Sequence, residues 1–86
     1  MGTGMLFDFK ITSPVVMWMK NTYISLDMLF VRNDGTVESV VAGTEPLSLA
    51  SISSGEPVNY VLELNAGVTG EFSIGEDSRV HFDLPD

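Results

Sequence analysis

The chain has 86 residues, with twelve acidic side chains against four basic ones, a formal charge of −8 and no cysteine. A chain of that length holds one hydrophobic core and no second domain, and without cysteine it has no disulfide framework, thiolate zinc site or cysteine nucleophile. Lys10, Lys20, Arg32 and Arg79 are scattered rather than clustered, which excludes nucleic acid as the expected partner because a duplex rewards only concentrated positive charge.

Met1 to Gly4 reads as a vector-derived remnant or a truncated start, and the fold is expected to begin at Met5. Met5 to Ile11 is rich in β-formers, with Leu6, Phe7 and Phe9 able to bury a sheet edge. Thr12-Ser13-Pro14 ends that strand, and Val15 to Lys20 reads as a second one, too β-branched at its start for a helix. Tyr23 to Arg32 alternates most regularly, with Ile24, Leu26, Met28 and Phe30 on one face and Ser25, Asp27, Leu29 and Val31 on the other. Asn33-Asp34-Gly35 supplies a turn and Val37 to Val41 runs back, which makes Tyr23 to Ala42 a β-hairpin.

Gly43 to Pro57 holds two prolines, two glycines and five serines or threonines, and is read as a long structured loop with at most a short helical turn over Pro46 to Ile52. Val58, Tyr60, Leu62 and Leu64 alternate with Asn59, Val61, Glu63 and Asn65 as another half-buried strand. Asn65 is a suitable N-cap for a short helix over Ala66 to Phe72, although Gly67 and Gly70 each weaken it by about 1 kcal/mol relative to alanine. Arg79 to Leu84 alternates again, with His81 on the outward side. Five or six short strands and one small helix predict a mainly β, β-rich α+β fold, a small barrel-like or strongly coiled sheet. Residues 1–86 form one domain on this reading. No apolar run approaches the roughly 20 residues of a membrane span, so a soluble chain is expected; an export signal removed upstream would leave no trace.

Several chemistries are absent from the sequence. The only histidine is His81 and there is no Gly-x-Ser-x-Gly turn, so no serine triad can form. Gly67-x-x-Gly70 lacks the remaining residues of a phosphate cradle, and Asn33-Asp34-Gly35 lacks the spaced carboxylates of a calcium loop. Neither a metal nor a cofactor is expected. What stands out is a set of polar residues inside apolar strands: Lys20, Asn21 and Thr22 after Trp18-Met19, Asp27 between Leu26 and Met28, and Glu63 between Leu62 and Leu64, with Asn65 following. Strand parity lets Asp27 and Glu63 point to solvent. If the long loop covers them, Lys20 can pair with either carboxylate, and two neighbouring carboxylates would have their pKa values pushed apart as a general acid and base require. Trp18 is a candidate for lining a pocket, with core filling as its ordinary role. Asn65 is read first as a helix cap, and Asp77 with Arg79 as a surface pair closing the last turn.

Gly4-Met5-Leu6-Phe7, Trp18-Met19-Lys20-Asn21-Thr22, Leu26-Asp27-Met28-Leu29-Phe30 and Leu62-Glu63-Leu64-Asn65-Ala66-Gly67 together resemble, in order and spacing, the prokaryotic domain of unknown function 192. The resemblance runs from Gly4 to about Val80 and implies a compact β-rich fold, often in proteins with an upstream export signal or lipoprotein anchor. It implies no established substrate, cofactor or catalytic residue. The family's usual segment before Gly-Met-Leu-Phe is missing, and Gly75 to Val80 departs from the usual Gly-Asp-x-Val. A missing strand would leave a sheet edge exposed, and an exposed edge invites pairing with a second copy. The reading that follows is a non-enzymatic binding or accessory module, in which Lys20, Asn21, Asp27, Glu63 and Asn65 meet a small polar ligand or a protein partner. The rival reading is a hydrolase-like enzyme with Asp27 and Glu63 as acid and base and Lys20 stabilising negative charge.

Overall fold

The computed structural model describes residues 4–80. The chain forms β1 (Met5–Ser13), β2 (Val16–Met17), β3 (Leu26–Val31), β4 (Val37–Val41), β5 (Ile52–Ser53), β6 (Val58–Asn65) and α1 (Val68–Glu71). One antiparallel sheet has the order β1-β6-β3-β4, and β2 with β5 makes a separate two-stranded ribbon. The fold is mainly β with one short helix, as the alternating runs predict, but the sheet is not closed into a barrel.

The expected hairpin is present: β3 pairs with β4 across the Asn33-Asp34-Gly35 turn. Gly35 has a φ of +90°, and a Cβ there would lie 2.6 Å from the Val80 carbonyl oxygen. The turn therefore requires glycine both for its backbone and for the close pass of the chain. The strand starts later than the alternation suggests. Ile24, expected on the inner face, is exposed, as is Tyr23, and Leu26 is the first residue of this run to be buried.

All six residues of β3 are buried, because both faces of the sheet are covered. On one face Leu26, Met28 and Phe30 pack with Val15, Met19, Val58 and Val61, beneath the ribbon residues Met17 and Ile52. On the other, Leu29, Val31 and Val37 pack with Leu62, Leu64, Ile74 and Val80. Each fully buried side chain of this size contributes about 1.5–3 kcal/mol of transfer free energy. That double covering overturns the one-sided alternation read from the sequence.

The segment from Gly43 to Pro57 is ordered rather than merely connecting. Thr44 is buried and holds it at one end: its amide donates to the Leu26 carbonyl at 2.9 Å and its hydroxyl accepts from the Leu26 amide at 3.0 Å. Ser54 holds the other end, its amide donating to the Val15 carbonyl at 2.8 Å and its hydroxyl accepting from the Val15 amide at 2.9 Å. Between these anchors β5 pairs with β2. The strand expected over Val15 to Lys20 is thus cut to Val16–Met17, and the Thr22 amide donates to the Met19 carbonyl at 3.0 Å to close a turn.

One further expectation changes. Asp77 and Arg79 do not pair with each other: Asp77 accepts from Arg32 at 3.4 Å, while the Arg79 guanidinium donates to the Asp34 carbonyl at 3.1 Å. Arg79 also bridges to Thr36 beside β4. The strand expected over Arg79 to Leu84, with His81, lies mostly outside the described residues.

Candidate functional site

The polar residues singled out in the sequence separate into three places. Register decides the first separation. In the β3–β6 pair, Asp27 lies opposite Leu64 and Met28 lies opposite Glu63. Residues directly opposite in an antiparallel pair share a face, and neighbours along a strand take opposite faces. Asp27 therefore belongs to the face covered by α1, and Glu63 to the face shared with Met28 and Met5. The sheet itself stands between the two carboxylates. They do not form the acid–base pair considered from the sequence, and Lys20 forms no salt bridge with either among the described residues.

Asp27 is completely buried and is an internal clasp. Its Oδ1 accepts from the Gly43 amide at 2.9 Å, and its Oδ2 accepts from the Gly67 amide at 3.1 Å, the Thr69 amide at 3.0 Å and the Thr69 hydroxyl at 2.7 Å. Burial pushes the carboxyl pKa up, but the Thr69 hydroxyl and the three amides outweigh it and hold the group below the usual carboxylate range. A four-residue helix cannot persist alone. Here Asp27 satisfies its otherwise unpaired first-turn donors from a neighbouring strand. Asn65, expected to cap this helix, makes no such bond; the N-cap position is Gly67, with φ 96° and no side-chain cap from its own segment. Asn65 is instead the last residue of β6, paired with Leu26.

The second place is a cleft on the opposite face, at the end of the sheet where β1, β6 and the segment after β2 meet. It has a volume of about 500 Å³ and is lined by Phe7, Met17, Trp18, Thr22, Glu63 and Asn65, with Gly4, Met5, Ile24 and Leu26 completing the wall. Glu63 and Asn65 are two apart on β6 and project into the cleft together, as strand parity requires. Trp18 and Ile24 are both more than half exposed, so the cleft opens to solvent along an apolar rim. Glu63 is half-buried, with no hydrogen bond or ion pair to another described residue. Burial alone raises its carboxyl above the usual range.

The third place is the turn that carries Lys20 and Asn21. Both are exposed, and the Lys20 Nζ sits 5.2 Å from the centroid of the Trp18 ring, a cation–π contact rather than the buried pair considered above. Among the described residues no three His, Cys, Asp or Glu side chains converge to hold a metal ion.

Trp18, Glu63 and Asn65 are therefore brought together, while Asp27 is turned inward and Lys20 and Asn21 flank the cleft. Thr22, one of the polar residues singled out in the sequence, lines the cleft, whereas Thr69, which holds Asp27, is missed by the sequence reading. Thr22 ends the Trp-Met-Lys-Asn-Thr motif, and its position one turn after Trp18 is the signal for it. Thr69 carries no comparable signal.

The profile of the family DUF192, described as "Uncharacterized ACR", matches residues 1–82. The chain belongs to this family. A chain of known structure from Sinorhizobium meliloti 1021, described as a candidate transcription regulator, is 54% identical and superposes with a TM-score of 0.87; the match covers 88% of the present chain and 59% of that one. A protein of unknown function from Novosphingobium aromaticivorans DSM 12444 is 30% identical, with a TM-score of 0.88 over 92% of the present chain and 56% of that one. The chain thus spans less than two thirds of both. No curated protein is significantly similar to it. DUF192 is a family of unknown function, and no feature of these relatives assigns an enzymatic activity to it.

Proposed function

We propose that this DUF192 domain is a non-catalytic binding module whose cleft takes a small ligand between Trp18 and the Glu63–Asn65 end of β6. The observation that carries this reading is Glu63. A half-buried carboxyl without a protein partner among the described residues is unfavourable to keep, and a cleft of about 500 Å³ with a mainly apolar wall and a few convergent polar groups is suited to ligand binding. A partner from outside the chain would relieve that cost. The separation of Asp27 from Glu63 argues against the hydrolase reading, because acid and base must reach one reacting centre.

The regulator description of the Sinorhizobium protein does not extend to direct nucleic-acid contact here. The basic residues are engaged elsewhere: Lys10 with Asp8, Arg32 with Glu38 and Asp77, Arg79 with the Asp34 carbonyl and Lys20 with Trp18. The net charge of −8 adds general repulsion.

Self-association through β1 is a second reading, supported by its place at the edge of the described sheet. Its regular pairing with β6 runs from Met5 to Asp8 and shifts before Ser13, and Lys10 has a left-handed φ of 66°. A bulged, charged edge of this kind limits strand addition to its first few residues. Sedimentation over a wide concentration range tests it: a monomer–dimer equilibrium supports edge pairing and a monomer throughout removes it.

The binding reading is tested by amide NMR of the full chain against a mixed library of small polar fragments. Shift changes confined to Trp18, Thr22, Glu63 and Asn65 are expected. Binding that maps only to Gly43, Gly67 and Thr69, or no binding from any fragment, would contradict it.

A further inference from the structure

The charges and surfaces around the cleft go further than the presence of a site. Among the described residues Glu63 is the only charged side chain in its lining, and it stands among Phe7, Met17, Leu26 and Trp18. Among the described residues no cationic group lines the cleft, so there an anionic ligand would meet one carboxylate and no counter-charge. A neutral polar ligand would leave that carboxylate uncompensated. A cation would pair with it in partly desolvated surroundings, where such pairing is stronger than in water. The Trp18 ring already attracts an ammonium, that of Lys20, and Lys20 is not itself in the lining. The chain's charge of −8 raises the local concentration of cations further.

Resting on the binding reading above, we infer that the ligand is a small organic ammonium with an apolar body: the charged nitrogen faces Glu63, Asn65 accepts a hydrogen bond from it, and the aromatic or alkyl body lies against Trp18, Phe7 and Met17. The apolar wall selects against hydrated metal ions and polyols, which have no apolar surface to bury. The single carboxylate selects for one positive charge over two. Trp18 and Glu63 thus divide the recognition between them, the ring reading the body and the carboxylate reading the charge.

The chain has a single tryptophan, so its intrinsic fluorescence reports on the cleft without labelling. Three probes of matched shape are titrated into the full chain at neutral pH: phenethylamine, 2-phenylethanol and 3-phenylpropionate. The expected result is a saturable change in Trp18 emission with phenethylamine, at least tenfold weaker with the alcohol and absent with the carboxylate. Glu63→Gln weakens amine binding at least tenfold, whereas Glu63→Asp, which keeps the charge, retains part of it. Circular dichroism on both variants confirms that the fold is intact.

If the alcohol or the carboxylate binds as well as the amine, or Glu63→Gln leaves amine affinity unchanged, the ammonium inference is overturned while the cleft stands as a binding site. Silence from all three probes, together with fragment hits mapped to the cleft, also overturns the ammonium inference alone. Silence in both experiments overturns both readings.

Discussion

Replacing Asp27 with asparagine tests the clasp that joins β3 to α1 and to the segment after β4. The two side chains have the same shape, but one oxygen becomes an NH2 group. Oδ2 accepts three bonds and Oδ1 accepts one, so the amide oxygen of asparagine does best in the Oδ2 position. Its NH2 then faces the Gly43 N–H, donor against donor. That loses one bond and leaves a donor unmet, at about 1–3 kcal/mol. The three bonds at Oδ2 also lose charge assistance, each by about 1 kcal/mol. Relief of the buried charge offsets part of this, and a net loss of about 2–4 kcal/mol is expected. For a domain of this size that lowers the thermal midpoint by roughly 10–25 °C. Urea unfolding followed by circular dichroism at several pH values gives the full test. Because the folded-state pKa of Asp27 lies below its unfolded value of about 3.9, its contribution is complete above that pH and is lost as pH falls through the folded pKa. The gap between wild type and Asp27→Asn should therefore be full at pH 7 and shrink below about pH 4. A gap under about 0.5 kcal/mol at pH 7, or one unchanged at about pH 2.5, would refute the reasoning.

Glu63 carries the opposite sign. Its folded-state pKa is raised by burial, so the destabilisation from ionising it is absent below the unfolded value of about 4.3 and complete above the folded pKa. Glu63→Gln is therefore expected to be more stable than wild type at pH 7 and equal to it near pH 4, as urea midpoints at the two pH values will show. Gly35→Ala forces a Cβ to 2.6 Å from the Val80 carbonyl oxygen at a positive φ and should destabilise by more than about 1 kcal/mol, measured by thermal melting. Lys20→Met removes only an exposed cation–π contact; the unfolding midpoint should stay unchanged within error, and a large drop would mean that Lys20 has a buried partner.

The parts of the fold written in local pattern were legible. The hairpin follows from an Asn-Asp-Gly turn between apolar runs, and β6 follows from strict alternation. Alternation also places Glu63 and Asn65 on one face, the face that forms the cleft. Asp27 was harder, because its burial depends on what lies over each face of β3. The continuous apolar run Leu26–Val31, interrupted by a single carboxylate, is the signature of a strand covered on both sides. Such a strand has no solvent-facing side for a charge, so the carboxylate must be met by donors from elsewhere. Those donors come from Gly43, Gly67 and Thr69, distant in sequence and unmarked by any spacing rule. The same limit hides the ribbon: Ile52–Ser53 and Val16–Met17 are too short to show a period, and they become strands only because they pair with each other.

The most direct test of the division between an internal clasp and an open cleft is a carbon-13 NMR titration of the Asp27 and Glu63 carboxyl groups in the same sample. The account predicts that Asp27 titrates below and Glu63 above the values of unfolded peptides, each as an independent single step, since the sheet separates them. Ordinary values for both, or a coupled titration with two shared steps, would contradict it.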